Sequence, residues 1–316
     1  MITTLRRATM IPVVVLVEVV LVLTAPLSLT VAGVVAACVR SSRPLRTVLL
    51  VLAYASVELR VLRRILGGEP DWDALMPEVI GTIYRALRRI LDVRLVLEPG
   101  SVDAGRPAAG NPVIVLARHC GPGDSLFIAW LIEVHYRLRL HIVLKALLRL
   151  EPTLDLAGDH LPLCFIGHGG RRARDEIGTL AASLSRGDAL LLFPEGGNFS
   201  RPRWRRAVAG LSAAGAFRAA RRARWRTHTL PPHRGGTVAA LTNAPGADVL
   251  LLAHTGFSDD GRDRPWWRIP VHRSVVVRTE LVPAAEVPRE PDAAGTWLEH
   301  RWAEVDAWVS GHATAR

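Results

Sequence analysis

The chain has 316 residues, which is enough for one large domain or for a domain with an appendage. It carries 40 basic and 29 acidic residues, and the net charge of +11 suits an anionic membrane surface or nucleic acid. No zinc-finger, RNA-recognition or basic-zipper pattern favours nucleic acid. The three cysteines have neither metal-ligand spacing nor a disulfide arrangement, which favours a reducing compartment for the soluble part.

The N-terminal region is the most apolar part of the chain. Residues 11–39 are almost wholly apolar, broken by Glu18 and Pro26, and the run is too long for the apolar core of a signal peptide. A helix of this length exceeds the ~30 Å hydrocarbon core at about 1.5 Å per residue, so we expect an uncleaved membrane segment that tilts or bends at Pro26. The alternative is a buried core helix.

A basic turn at 40–46 and a second apolar run at 47–56 complete a predicted membrane-embedded helical hairpin over residues 1–66. Arginines lie before the hairpin, in its turn and after it, so the positive-inside rule does not choose between a spanning and a re-entrant hairpin. We expect a linker at 67–73, followed by an amphipathic helix at 77–91. That helix suits either a membrane interface or packing on the sheet.

From Val93 onward, short apolar runs alternate with helical patterns. We predict an α/β fold, a mostly parallel sheet flanked by helices, with residues 67–316 forming one domain. The predicted strands are 93–97, 112–116, 140–144, 163–166, a run from Asp188 that ends in Phe193-Pro194-Glu195-Gly196-Gly197, 249–253 and 274–279. The predicted helices are 126–136, 171–185, 204–224 and 296–309.

One segment joins a predicted strand to a predicted helix and carries the strongest candidates for chemistry. His119 lies where the strand ends, Asp124 lies where the helix begins, and a Gly-Pro-Gly turn between them can fold the carboxylate back to the imidazole. A histidine oriented by a carboxylate is a general base near neutral pH. Taken alone, the same residues also suit a helix N-cap and a packing histidine.

The His-x4-Asp spacing, followed by a strand that ends in Phe-Pro-Glu-Gly, resembles the glycerophospholipid acyltransferase family over roughly Val93 to Val277. The resemblance implies that His119 is the general base and Asp124 its orienting partner. It also implies that Glu195 and Gly196 contribute to binding the acceptor's glycerol phosphate. Because a carboxylate repels a phosphate, Glu195 is expected to hold a hydroxyl or an arginine, the alternative being a solvated Glu at a turn.

Direct acyl transfer is expected, without an acyl-enzyme. Neighbouring residues on an extended segment point to opposite faces, so Cys120 does not suit His119 as a paired nucleophile. Backbone N–H groups near the turn are candidates for stabilising an oxyanion. The family usually has Asn before the His, whereas this chain has Arg118.

The residues that would bind the acceptor phosphate are less well defined by the sequence. His168 stands where the family has an arginine, and Arg171, Arg172 or Arg174 are candidates to replace it at a helix start, or else form a solvated basic face. Lys145, the only lysine, follows a strand as in similar family members. We interpret 230–236 as a rigid Pro-containing loop, and Trp266 with Trp267 as either an interfacial or an ordinary surface pair.

The resemblance therefore predicts a membrane-associated O-acyltransferase of phospholipid biosynthesis. It would transfer a fatty acyl group from acyl-CoA or acyl carrier protein to 1-acylglycerol 3-phosphate, with no metal and no bound cofactor. We expect it at the cell membrane, with the catalytic domain facing the cytoplasm. The alternatives are another acceptor, either glycerol 3-phosphate or a different lysophospholipid, or a non-catalytic lipid-binding relative. A nucleic-acid binder is supported only by charge.

Overall fold

The computed structural model describes residues 2–68, 70–107, 110–121, 123–167, 170–257 and 269–314. Within these ranges the helices are α1 (Ile2–Leu23), α2 (Ala25–Cys38), α3 (Arg43–Leu66), α4 (Trp72–Leu91), α5 (Asp124–Trp130), α6 (Pro152–Ala157), α7 (Arg171–Ala182), α8 (Arg201–Ala213), α9 (Phe217–Trp225), α10 (Arg234–Asn243) and α11 (Pro291–Thr314). The strands are β1 (Val93–Leu97), β2 (Val113–Ala117), β3 (Arg139–Lys145), β4 (Leu163–Ile166), β5 (Asp188–Leu192), β6 (Asp248–Thr255) and β7 (Arg273–Val282).

The seven strands form one sheet in the order β1-β7-β6-β2-β5-β3-β4. Strand β2 pairs in parallel with β5 and β6, β3 pairs in parallel with β5, and β7 is antiparallel to β6. Every residue of β2 and β5 is buried, as expected for central strands that are covered on both faces. The predicted α/β fold with a mostly parallel sheet is confirmed.

The chain divides into two compact units. The first comprises Met1–Arg94, Leu144–Gly167 and Trp266–His272, and the second comprises Leu95–Val143, His168–Pro265 and Arg273–Arg316. In the first unit, α3 packs against α1, α2 and α4. In the second unit, helices α7, α10 and α11 form one packed group, and α8 packs against α9.

The N-terminal apolar run is broken close to the predicted position. Helices α1 and α2 meet at Thr24 with a bend of 63°, and Pro26 lies in the first turn of α2. Across the described ranges, no single helix has both the length and the apolar composition needed to cross a membrane; α1 and α2 meet that requirement only as a bent pair. The membrane-embedded hairpin therefore stays a prediction.

Helix α4 begins earlier than predicted. Asp71 caps it by accepting a hydrogen bond from the Ala74 N–H at 3.1 Å, so helix replaces the last two residues of the expected linker at 67–73. Leu75 packs with Val57 and Val61 of α3 in one buried cluster. This face of the helix therefore packs on α3, whereas the predicted alternatives were a membrane interface and packing on the sheet.

Three other differences occur in the second unit. The helical stretch predicted at 204–224 is two helices, because the chain turns between α8 and α9 at Gly215, whose φ is +72°. Helix α10 was not predicted, and it begins at Arg234 inside the expected loop at 230–236. The helix predicted up to residue 136 continues past α5 as a π-helical turn over Leu131–His135.

Gly256, which follows β6, gives a test of the packing at the end of this strand. Its φ is +112°, and an added Cβ would meet the Ser274 carbonyl oxygen and lie 3.0 Å from the Val275 Cα, both backbone atoms of β7. We expect Gly256→Ala to lower the free energy of unfolding by about 2–4 kcal/mol in urea denaturation, because the paired strand cannot yield easily. Gly246→Ala, whose Cβ would meet nothing within 4 Å, is the matched control. Equal effects of the two substitutions would contradict this explanation.

Candidate active site

Parallel pairing of β2 with β5 brings the two sequence motifs together. Leu116 lies opposite Leu192 in the register. His119 and Glu195 each follow their strand's paired leucine by three residues, so both leave the sheet at the same edge and level. Glu195 Oε1 accepts a hydrogen bond from the His119 backbone N–H at 3.2 Å.

His119 and Asp124 form a hydrogen-bonded pair. The Nδ1 atom of His119 lies 2.9 Å from Oδ1 and 3.0 Å from Oδ2 of Asp124. The His119 ring packs on Phe193 with ring centroids 4.6 Å apart, and 21% of its side chain is exposed. Because Nδ1 faces the carboxylate, Nε2 is the nitrogen left for a substrate proton.

The Asp124 carboxylate is fully buried but well supplied with donors. Its Oδ2 atom accepts from the backbone N–H groups of Cys120 at 2.6 Å and Gly121 at 3.0 Å, and Ser125 Oγ donates to Oδ1 at 3.3 Å. Burial is the largest single influence and raises the pKa of Asp124, but the hydrogen bond with His119, the nearby imidazoles of His119 and His254 and the Cys120 amide together outweigh it, so the pKa lies below its ordinary value. The two turn amides are committed to Asp124 and are therefore unavailable to an oxyanion.

Glu195 is buried, which excludes the solvated alternative. Besides the His119 amide, its carboxylate accepts a hydrogen bond from the Leu230 N–H at 2.7 Å. Burial raises the pKa of Glu195 to about 7, although the charge of Arg118 and the two amides act in the opposite direction. These contacts tie the loop after β2 to the segment before α10. The substrate contact expected of Glu195 stays a prediction.

Gly196 is needed for the turn that follows Glu195. Its φ is +64°, and an added Cβ would lie 2.7 Å from the His233 ring. The His233 backbone N–H donates to the Pro194 carbonyl at 2.7 Å. The predicted Pro-containing loop therefore packs directly on the Phe-Pro-Glu-Gly segment.

Arg118, the residue that departs from the family pattern, is buried beneath the site. Its guanidinium donates to the carbonyl oxygens of His254 at 2.7 Å and His228 at 3.0 Å. It joins the end of β6 to the segment before Leu230. Its charge also offsets the nearby carboxylate of Glu195.

His254 is a fully buried second histidine behind the pair. Its Nε2–H donates to the Arg118 carbonyl at 2.9 Å, and its Nδ1 lies 3.6 Å from Cys120 Sγ. Cys120 is thus turned toward His254, as expected if it is not a nucleophile activated by His119. Ligand atoms of Cys120, Asp124 and His254 lie within 4.8 Å of one another, a grouping that suits a metal ion. Each of the three side chains already takes part in a hydrogen bond: Asp124 with His119, and Cys120 with His254.

The residues expected at the acceptor phosphate are distributed over both units. Arg171 and Arg172 begin α7 in the second unit and are exposed; Arg172 is 92% exposed and pairs with Glu176 at 2.8 Å, as a solvated basic face would. Lys145 is exposed at the end of β3, in a part assigned to the first unit. Their roles toward phosphate stay predictions. His168, Trp266 and Trp267 lie outside the described residues.

Comparison with known proteins shows what the site resembles. Residues 101–238 match the family model for acyltransferases. The matched segment contains the His-x4-Asp and Phe-Pro-Glu-Gly motifs. The predicted resemblance to the glycerophospholipid acyltransferase family is confirmed.

A solved structure has the same fold. The 1-acyl-sn-glycerophosphate (LPA) acyltransferase PlsC from Thermotoga maritima aligns with a TM-score of 0.54, covering 84% of this chain and 95% of that chain. The two sequences are 16% identical, so the likeness establishes the fold alone. The search of curated proteins found no match for this chain.

Sequence reasoning did not assign a role to His254 or anticipate the contacts of Arg118. Both residues hydrogen-bond to partners more than a hundred positions away along the chain, and no motif spans that distance. A polar residue inside an apolar strand was the available signal, since His254 lies within the buried run of β6.

The buried imidazole of His254 predicts a pH-dependent stability. Burial lowers its pKa from 6.5 to about 4. Between these pH values the unfolded chain binds a proton that the folded chain does not, so this contribution is complete above pH 6.5 and is lost as the pH falls toward 4. We expect the free energy of unfolding to fall between pH 7.5 and pH 5 by about 2 kcal/mol more in the wild type than in His254→Gln. Parallel pH profiles in chemical denaturation would contradict this.

Glu195→Gln tests the carboxylate that joins the two loops. A glutamine places its NH2 group against one of the two backbone N–H donors, so one hydrogen bond is lost and two donors face each other. We expect the substitution to lower the free energy of unfolding by about 1–3 kcal/mol and to reduce kcat, because His119 loses a support. The exposed Glu286→Gln is the control. A variant with wild-type stability and kcat would show that this connection is dispensable.

Proposed function

We propose that the chain is a membrane-associated O-acyltransferase that acylates 1-acylglycerol 3-phosphate. The observation that carries the proposal is the pairing of His119 Nδ1 with the buried Asp124 inside an acyltransferase domain. This pairing leaves a partly exposed imidazole nitrogen beside Glu195 and Gly196. The resemblance to PlsC, an LPA acyltransferase by its title, supports the acceptor.

In the proposed reaction, the acceptor hydroxyl attacks the thioester carbonyl carbon while His119 Nε2 takes the hydroxyl proton. Asp124 fixes the Nε2-basic tautomer and stabilises the imidazolium that forms. The tetrahedral intermediate then collapses: the C–S bond breaks, the ester C–O bond remains, and the imidazolium returns the proton to the departing thiolate. No acyl-enzyme forms.

The donor is acyl-CoA or acyl carrier protein acting as co-substrate, with no metal and no bound cofactor. Lys145, Arg171 and Arg172 are proposed to supply positive charge for the acceptor phosphate, and Gly196 to allow its close approach. The apolar N-terminal pair α1–α2 is proposed to hold the protein at the cell membrane, with the acyltransferase domain in the cytoplasm.

The direct test is thiol release from palmitoyl-CoA, or product formation from palmitoyl-acyl carrier protein, by the detergent-purified full chain. Acceptors are 1-acylglycerol 3-phosphate, glycerol 3-phosphate and lysophosphatidylcholine. We expect acceptor-dependent release with 1-acylglycerol 3-phosphate and a loss of about 10³-fold or more in His119→Ala, since the general base is removed. His300→Ala, an exposed histidine on α11, is the matched control and is expected to retain activity.

Each result has a distinct meaning. Release with another acceptor alone, abolished by His119→Ala, keeps the chemistry and overturns the acceptor. Undiminished release in His119→Ala overturns the proposed base. Absence of transfer with both donors and all acceptors identifies the chain as a non-catalytic relative.

A further inference from the structure

In helix α9 the small side chains face the protein and the large apolar side chains face outward, the reverse of an ordinary packed amphipathic helix. Ala220 and Ala223 are buried, whereas Phe217 is 71% exposed and Trp225 is 80% exposed. The largest apolar side chains of the helix thus face outward, although burying them inside would stabilise the fold. Such outward aromatic rings mark an interaction surface rather than a packing surface.

The outward arc also carries most of the positive charge of the helix. At about 100° per residue, the exposed residues of α9 fall within an arc of about 160°, and the alanines fall on the opposite side. We call this arc the α9 face; it consists of Phe217, Arg218, Arg221, Arg222, Arg224 and Trp225. Aromatic rings therefore alternate with guanidinium groups on one surface.

Few acidic groups oppose this charge. Between Gly196 and Ala247 the sequence contains ten arginines and no aspartate or glutamate. Glu299 of α11 reaches Arg222 at 3.8 Å and is otherwise held by the buried Arg226 at 2.7 Å. Within the described ranges no ion pair joins Arg218, Arg221 or Arg224 to an acidic side chain. The α9 face is therefore strongly positive.

The support beneath the face is rigid, which distinguishes it from a frayed end. Trp204 of α8 packs below α9, and its indole N–H donates to the carbonyl oxygens of Ala223 at 3.1 Å and Arg226 at 2.6 Å. Exposed arginines of α8 continue the positive surface: Arg203, Arg205 and Arg206. The partly buried Trp204 supports α9 from below, whereas Trp225 is exposed on its outer side.

We propose that the α9 face docks on the headgroup region of an anionic phospholipid bilayer. Tryptophan and phenylalanine partition into the interfacial region, while arginine side chains reach the lipid phosphates, so the alternation on this face matches such a surface. Phosphate contact alone would also suit nucleic acid or an acidic carrier protein, but it gives no reason for the two outward rings. The proposal names a surface for the membrane association proposed above, and it does not depend on the acceptor.

The test uses the full chain reconstituted in phosphatidylcholine nanodiscs with or without phosphatidylglycerol. Amide hydrogen exchange of α9 and quenching of Trp225 by brominated lipid report docking, the latter as the difference between the wild type and Trp225→Phe. We expect slowed exchange and quenching only with phosphatidylglycerol, both reversed by salt. In the triple variant R218Q/R221Q/R224Q the ratio of docked to undocked α9 should fall about 100-fold, since each arginine near an anionic surface contributes about fivefold.

Controls separate this proposal from the catalytic one. The triple variant R106Q/R137Q/R278Q removes three exposed arginines elsewhere in the same unit and should dock like the wild type. His119→Ala should also dock, so loss of catalysis and loss of docking are distinguishable. Equal exchange and quenching in both lipids would overturn the proposal. Protection of α9 by duplex DNA or by acyl carrier protein, with none from phosphatidylglycerol, would overturn it as well.

Discussion

The buried carboxylate of Asp124 is the constraint on which the site depends. Removing an ionised carboxylate from water costs several kcal/mol unless donors replace the lost hydration. Here the replacement comes from the Cys120 and Gly121 amides, the Ser125 hydroxyl and the His119 ring. The charge can therefore stay buried only if the turn between His119 and Asp124 keeps its shape. The same hydrogen bonds fix the orientation of the His119 ring.

The buried groups around this pair balance their charges in a different way. Glu195 is also buried, but two backbone amides and the charge of Arg118 compensate it less completely, and its pKa rises to about 7. His254 is also buried; Asp124 Oδ2 lies 3.9 Å from its Nε2, but burial outweighs this charge and keeps the imidazole neutral. A permanently charged arginine, a strongly ionised Asp124 and a neutral imidazole thus lie within one hydrogen-bonded network. Because the network joins three loops, its geometry and its charges are coupled.

The site around His119 and the α9 face place their polar side chains in opposite ways. Around His119 the polar groups of the fold hydrogen-bond to one another, and of the two imidazole nitrogens only Nε2 is left without a partner in this network. On α9 the fold does the reverse, burying alanine and leaving aromatic and basic side chains outside. The proposed acylation of a membrane lipid would use both features: a site with buried polar groups and a surface that meets lipid headgroups.

The sequence by itself determined the seven strands to within a few residues, because continuous apolar runs with turn residues at their ends have few alternatives in an α/β fold. It also determined that His119 and Asp124 can meet, since five positions and a Gly-Pro-Gly turn keep them local. It missed α10, which has a Gly-Gly pair in its first turn, and the early start of α4. Only the tertiary structure decided that Glu195 supports the His119 loop, that Arg118 joins β6 to the 228–230 segment, and that His254 lies behind Asp124. Those contacts depend on strand order and register, which place residues adjacent in space that are 76 to 136 positions apart in sequence. No local pattern encodes that adjacency.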